Sequence, residues 1–180
     1  MALAEEKKYT IDDIYNLPEG QRAELIDGRM YMMAPPSTEH QQLVSELHYV
    51  IKDYIKKKRG DCHVYPAPFA VFLNADSKNY VEPDLSIICD KNKLDKKGCH
   101  GAPDWVIEIV SPSSRQMDYY RKLYKYQNAG VREYWIIDKE KNRVVTHSFE
   151  KESGEEYTLE DAVPVGIYED FNINFKEIDL

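Results

Sequence analysis

Hydrophobic and polar positions follow two different periods along this chain, and each change of period marks an element. From position 38 onward, Leu43, Leu47, Val50 and Tyr54, with Ile51 and Ile55 beside them, recur at helical spacing. They predict a long helix capped by Ser37 or Thr38 and running through Lys58. The run KKKRG closes it, since positive charge and a glycine both favour a helix carboxyl end. Upstream, Thr10 before IDDIYNL predicts a short capped helix ending ahead of Pro18. RAELIDGRMYMM predicts a hairpin that turns at Asp27-Gly28.

Past the long helix the period shortens. CHVYP, FAVFLN, YVEPDLSIIC, WVIEIV and EYWIID are rich in branched and aromatic residues and predict strands. Between the last two lies SSRQMDYYRKLYKYQNAG, a helix capped by Ser113 or Ser114 and stopped near Gly130. Strand, helix and strand across 104–138 predict a crossover unit with neighbouring parallel strands. RVVTHSFE and EEYTLE predict a hairpin turning at KESG, and NINFKEI fits a strand or a short helix. The elements describe one α/β domain, residues 1–180, with a central mixed β-sheet flanked by helices. No repeat, low-complexity segment or linker divides it.

Acids interrupt these strands. Glu82 and Asp84 stand in the segment VEPDLSII, and Glu108 in DWVIEIVSPSS. Strand alternation puts Asp84, Ser86 and Ile88 on one face, and Val106, Glu108 and Val110 on one face of the second segment. Asp84 and Glu108 therefore converge if the strands are adjacent. Two facing carboxylates repel unless a cation or a proton lies between them. A hard divalent ion such as Mg²⁺ suits them, with carbonyls and water completing its shell. The plainer reading is that each acid caps a turn or pairs with a surface Arg or Lys. In the following helix Asp118, Lys122 and Tyr126 repeat at i, i+4 and i+8, with Lys125 beside them. Lys122 then lies over the acids, where its charge stabilises a phosphate oxygen or orients water. The alternative is a plain Asp118–Lys122 salt bridge and a packed Tyr126.

Composition narrows the classes. The net charge of -8 over 180 residues argues against a protein that coats nucleic acid, without excluding an enzyme with a local basic patch. The basic runs KKKR at 56–59 and KNKLDKK at 91–97 read first as solvated surface. Fourteen tyrosines read as core or interface residues rather than base-stacking platforms. Cys62, Cys89 and Cys99 form no CxxC pair, which describes neither a disulfide framework nor a zinc site and suits a reducing cytoplasm. His48, His63, His100 and His147 have no ligand spacing. No segment reaches the length of a membrane span, and MALAEEKKYT lacks a leader-like apolar core. P-loop, dinucleotide-glycine and HExxH patterns are missing.

Taken in order, YTIDDIYNLPEG, AELIDGRMY, STEHQ, EPDLSII, PDWVIEIVSPSS and DYYRKLYKYQNAGVREYWIID resemble the Uma2 family of restriction-endonuclease-like proteins, a branch of the PD-(D/E)xK nuclease superfamily. The resemblance implies a restriction-endonuclease-like core. It implies that Pro83-Asp84 is the PD element and that Asp84 is a metal ligand. Glu108 becomes the acid of the second half-motif, with the Ile109 carbonyl facing the metal and Glu24 completing or supporting the site. The half-motif calls for lysine at 110, where this chain has Val110. The resemblance moves that role to Lys122 on the next helix. His40 is implied to be a supporting or substrate contact near Glu24, with an ordinary helix-start histidine as its alternative.

The expected activity is Mg²⁺- or Mn²⁺-dependent hydrolysis of DNA by a cytoplasmic homodimer with Asp84, Glu108, Lys122 and Glu24 as its machinery. A second reading is a non-catalytic homodimeric interaction or regulatory protein that keeps the fold. A third is a hydrolase of RNA or of a small phosphate ester.

Overall fold

The elements begin where side chains satisfy loose backbone groups. In the computed structural model, which describes residues 7–178, Thr10 opens α1 (Ile11–Tyr15). The Asp13 carboxylate accepts hydrogen bonds from the Thr10 N–H at 2.8 Å and from its hydroxyl at 3.1 Å. The stretch read for a leader lies mostly outside the described residues. β1 (Ala23–Ile26) and β2 (Arg29–Met32) form the predicted hairpin. Asp27 and Gly28 take φ of 52° and 77°, the two positive values that a type I′ turn requires. Ser37 caps α2 (Thr38–Lys57) by accepting from the His40 N–H. Leu43, Val44, Leu47, Ile51 and Ile55 form its buried face, while Val50 and Tyr54 pack at the edge.

The strands that follow are β3 (His63–Pro66), β4 (Val71–Phe72), β5 (Leu85–Ile88), β6 (Cys99–His100) and β7 (Trp105–Ile109). A π-helical turn, Met117–Lys122, runs into α3 (Leu123–Ala129). Gly130 ends it at φ 92°, a left-handed stop that a side chain would strain. Then come β8 (Glu133–Asp138), β9 (Arg143–Ser148), β10 (Ser153–Tyr157), β11 (Ala162–Pro164) and β12 (Asn172–Asn174). Six strands make one mixed sheet in the order β10-β9-β8-β7-β5-β3. β7 and β8 are parallel, as a crossover demands, and the other pairs are antiparallel. One face carries Leu85, Ile87, Trp105, Ile107, Trp135 and Ile137 against α2. The opposite face carries Ile88, Val106, Tyr134 and Ile136 against Tyr126.

Several expectations are corrected. FAVFLN supplies only the two residues of β4, which pair in parallel with β6 outside the main sheet. Pro66 and Pro68 lack the N–H that a ladder needs, so the chain leaves the sheet before Val71. The β9–β10 turn falls at Phe149–Glu152 rather than at KESG, because Ser153 already pairs with Ser148. NINFKEI is both alternatives in succession, β12 and then a 3₁₀ turn. The helix after β7 begins at Arg115, directly after Ser114 as expected, but widens into a π turn at Met117. Cys62 and Cys89 form a disulfide, contrary to the reading from spacing. His63 opposes Ile88 across β3 and β5, so the next residues outward, 27 positions apart in sequence, meet side by side. Cys99 is free and buried. No helix among the described residues is long and apolar enough to cross a membrane.

Candidate active site

The acids meet at one end of the sheet, where the hairpin, the start of α2 and the π turn converge. β5 and β7 are neighbours with Leu85 opposite Ile107. Asp84 thus precedes its strand beside the last residues of β7. Its Oδ2 accepts the Ile109 N–H at 2.7 Å. Glu108 points to the opposite face from Ile107, among Val106, Tyr126 and Tyr134, and is 4 % exposed. Glu24, on β1, is held by the Glu82 N–H, which donates to its Oε1 at 3.0 Å. Glu82 is tied down in turn by Arg22 and by the Tyr80 hydroxyl at 2.7 Å. Glu82 is therefore a brace for Glu24.

Lys122 reaches into this group from the π turn. Its Nζ stands 2.9 Å from Glu24 Oε2, 2.9 Å from Glu108 Oε1 and 3.7 Å from Asp118 Oδ1. The Tyr126 hydroxyl donates to the same Glu108 oxygen at 2.7 Å. A wide turn inserted into a helix commonly marks a functional site. Here it carries Asp118 and Lys122 into the interior while α3 supplies Tyr126. The predicted shared face therefore holds, although the backbone is not a regular α-helix. The salt bridge offered as an alternative for Lys122 is present only as its longest contact.

His40 contacts Asp84 rather than Glu24. Its Nε2 lies 3.1 Å from Asp84 Oδ2 and 3.2 Å from the Ile109 carbonyl oxygen. Tyr134 was not picked out from sequence; its hydroxyl donates to the Asp118 carbonyl at 3.0 Å and anchors the π turn. Parallel register is the signal that finds it, because Val106 pairs with Tyr134 and Glu108 with Ile136. Within the run at 56–59, Lys57 pairs with Asp53 and Lys58 with Asp170 at the surface.

Charge is unbalanced in this interior. Burial pushes Glu108 well above the usual carboxylate range; Lys122 opposes the shift, while Asp118, Asp84 and Glu24 add to it. Asp118 is pushed up to about 6, again by burial first, with Lys122 and Ser114 pulling it down. Burial alone would strip the proton from Lys122, yet Glu108, Glu24 and Asp118 outweigh it and raise its pKa well above that of a free lysine. Burial likewise disfavours the His40 imidazolium, but Asp84 and the Ile109 carbonyl overcome it and raise the pKa.

These features fit a divalent cation by chemistry. Four carboxylates share one lysine and one histidine, and Asp118 Oδ1 is buried without a hydrogen-bond partner. The Nε2 of His40 touches both Asp84 and the Ile109 carbonyl, so the imidazole ring occupies a place between two groups that suit a hard metal. Preorganisation is incomplete: among the described residues no three His, Cys, Asp or Glu side chains are already grouped to hold an ion.

Comparison with known proteins agrees with this architecture. The chain is 25% identical over 118 residues to the uncharacterized protein slr1290 of Synechocystis, a match spanning 65% of this chain and 60% of that one. The chain thus covers less than two thirds of that relative's length. The fold resembles the crystal structure of a "putative nuclease belonging to DUF820" from Anabaena variabilis, with a TM-score of 0.77 and 23% identity. The superposition covers 94% of this chain and 96% of the other. The profile of the Uma2 family, described as "Putative restriction endonuclease", matches residues 11–171, and the chain belongs to that family.

Proposed function

We propose that this protein is a divalent-metal-dependent endodeoxyribonuclease that hydrolyses DNA phosphodiester bonds. The observation that carries the reading is the convergence of Lys122 with Glu24 and Glu108, beside Asp84, at one end of the sheet. Asp84, Glu108 and the Ile109 carbonyl would hold Mg²⁺ or Mn²⁺, with Glu24 in support. A bound ion of this kind supplies Lewis-acid polarisation of the phosphodiester and acidifies water. The chain's own residues do the rest. Lys122, whose pKa is driven up, stays charged at working pH and serves as an electrostatic donor to a phosphate oxygen or to the attacking water, not as a base. Tyr126 fixes the orientation of Glu108, and the Ile109 N–H fixes Asp84. His40 shields Asp84 and Asp118 supports the charge of Lys122.

A homodimer, carrying two such sites, is part of this reading. A cytoplasmic location rests on DNA as the substrate alone, because the Cys62–Cys89 disulfide removes the support that unpaired cysteines offered. The non-catalytic reading has one observation in its favour: the ammonium of Lys122 is already engaged by Glu24 and Glu108. Calorimetric titration with Mn²⁺ separates the two. Binding by the parent protein that is lost in a folded Asp84→Ala variant supports the metal site. Equal binding in both would remove Asp84 from it.

A further inference from the structure

A groove outside the acid cluster shares its walls. In the hairpin, Glu24 opposes Tyr31 and Ile26 opposes Arg29, so these four side chains lie on one face. That face looks toward the helix carrying Lys122, whose outer positions are Arg121, Tyr124 and Lys125. Between them runs a cavity of about 370 Å³ lined by Lys8, Arg29, Tyr31, Arg121, Tyr124 and Lys125. Among the described residues Asp27 is the one acid on its walls, and it is paired with Lys125. In a chain of net charge -8 this is a local reversal of sign. The groove continues into a second hollow that adds Lys7 and Tyr9.

Aromatic rings alternate with these cations. The Arg121 guanidinium lies 5.5 Å from the centre of the Tyr31 ring and also contacts the Tyr31 hydroxyl. Lys7 lies 4.7 Å from the ring of Tyr9. Tyr124 is 65% exposed and Tyr120, one turn earlier, 73%. The sequence favours core or interface tyrosines over stacking platforms, and these two lie outside the core. Cations alone suit any polyanion. Cations interleaved with open rings suit a strand whose bases are free to stack, which duplex bases are not.

We infer that this groove holds a single-stranded stretch of nucleic acid beside the reacting phosphate, its phosphates on Arg121 and Lys125 and a base on Tyr124. The inference rests on the nuclease reading above and names the form of its substrate. The groove reaches the site through Tyr31, which stands across the hairpin from Glu24, and through Arg121, which adjoins Lys122.

The test is fluorescence anisotropy with a labelled oligo(dT) of about 12 nucleotides and a duplex of the same length, in EDTA so that cleavage plays no part. The parent protein, Tyr124→Ala and the double variant Arg121→Ala/Lys125→Ala are compared after thermal unfolding confirms that each is folded. Tighter binding of the single strand is expected, weakened about tenfold in Tyr124→Ala. The double variant should flatten the slope of log K against log salt by about 1.4, the loss of two phosphate contacts. Equal affinity for strand and duplex, no binding, or binding unchanged in both variants would overturn the groove. Groove-dependent binding without any metal-dependent cleavage would leave the groove standing and remove the nuclease reading. Cleavage with unchanged binding in the variants would do the reverse.

Discussion

The ammonium of Lys122 lies 2.9 Å from a carboxylate oxygen of Glu108, fourteen positions earlier in the chain, and both side chains are buried. The lysine that the (D/E)xK pattern asks for at position 110 is a valine packed against the apolar cluster. A buried ammonium reaches the acids from the neighbouring helix through the π turn. The same ammonium also holds Glu24, so one cation balances acids from two strands and from its own helix.

Removing that cation should leave buried carboxylates without compensation. Lys122→Met, which keeps most of the volume, is expected to lower stability at neutral pH without metal by about 3–5 kcal/mol. Adding Glu108→Gln to it should recover part of the loss, since one buried charge then disappears. Urea unfolding of the single and double variants checks this. Strictly additive losses would show that the two residues are not coupled.

Asp118 gives the metal-free protein a signed pH dependence. Its folded pKa of about 6 is above that of an unfolded aspartate, so the native state binds the proton more tightly. The resulting stability is complete below about pH 4 and is lost as pH rises through 6, an effect of about 3 kcal/mol. Asp118→Asn should therefore gain on the parent by that order between pH 4 and pH 7. Parallel stability curves for the two proteins would contradict the assigned environment.

The Cys62–Cys89 bond closes a loop across a sequence separation of 27. Reduction should cost about 3.5 kcal/mol by the chain-entropy relation. The expected observation is a urea midpoint that falls on adding a reductant, while a Cys62→Ser/Cys89→Ser protein is insensitive. A parent midpoint indifferent to reductant would show that the bond does not form in solution.

Legibility from sequence followed the range of each cause. Local periods and turn chemistry are short-range, so α2, the Asp27-Gly28 hairpin and the β7–helix–β8 unit are readable from residues alone. The pairing of Asp84 with Glu108 is readable because alternation fixes faces and the two strands are neighbours. The His40 contact with Asp84 spans a sequence separation of 44, and nothing local distinguishes it from a contact with Glu24. The disulfide depends on the register of β3 against β5 in the same way. The π turn escapes because Asp118 and Lys122 keep helical spacing in sequence while the backbone between them widens.

The most direct measurement is cleavage of supercoiled and single-stranded DNA by purified protein with Mg²⁺ or Mn²⁺ and then with EDTA, beside Glu108→Ala and Lys122→Ala proteins shown to be folded. Metal-dependent cleavage by the parent is expected, abolished by EDTA and lowered at least a hundredfold in both variants, on the order of one lost transition-state contact. Cleavage that persists in folded Glu108→Ala and Lys122→Ala would contradict that expectation.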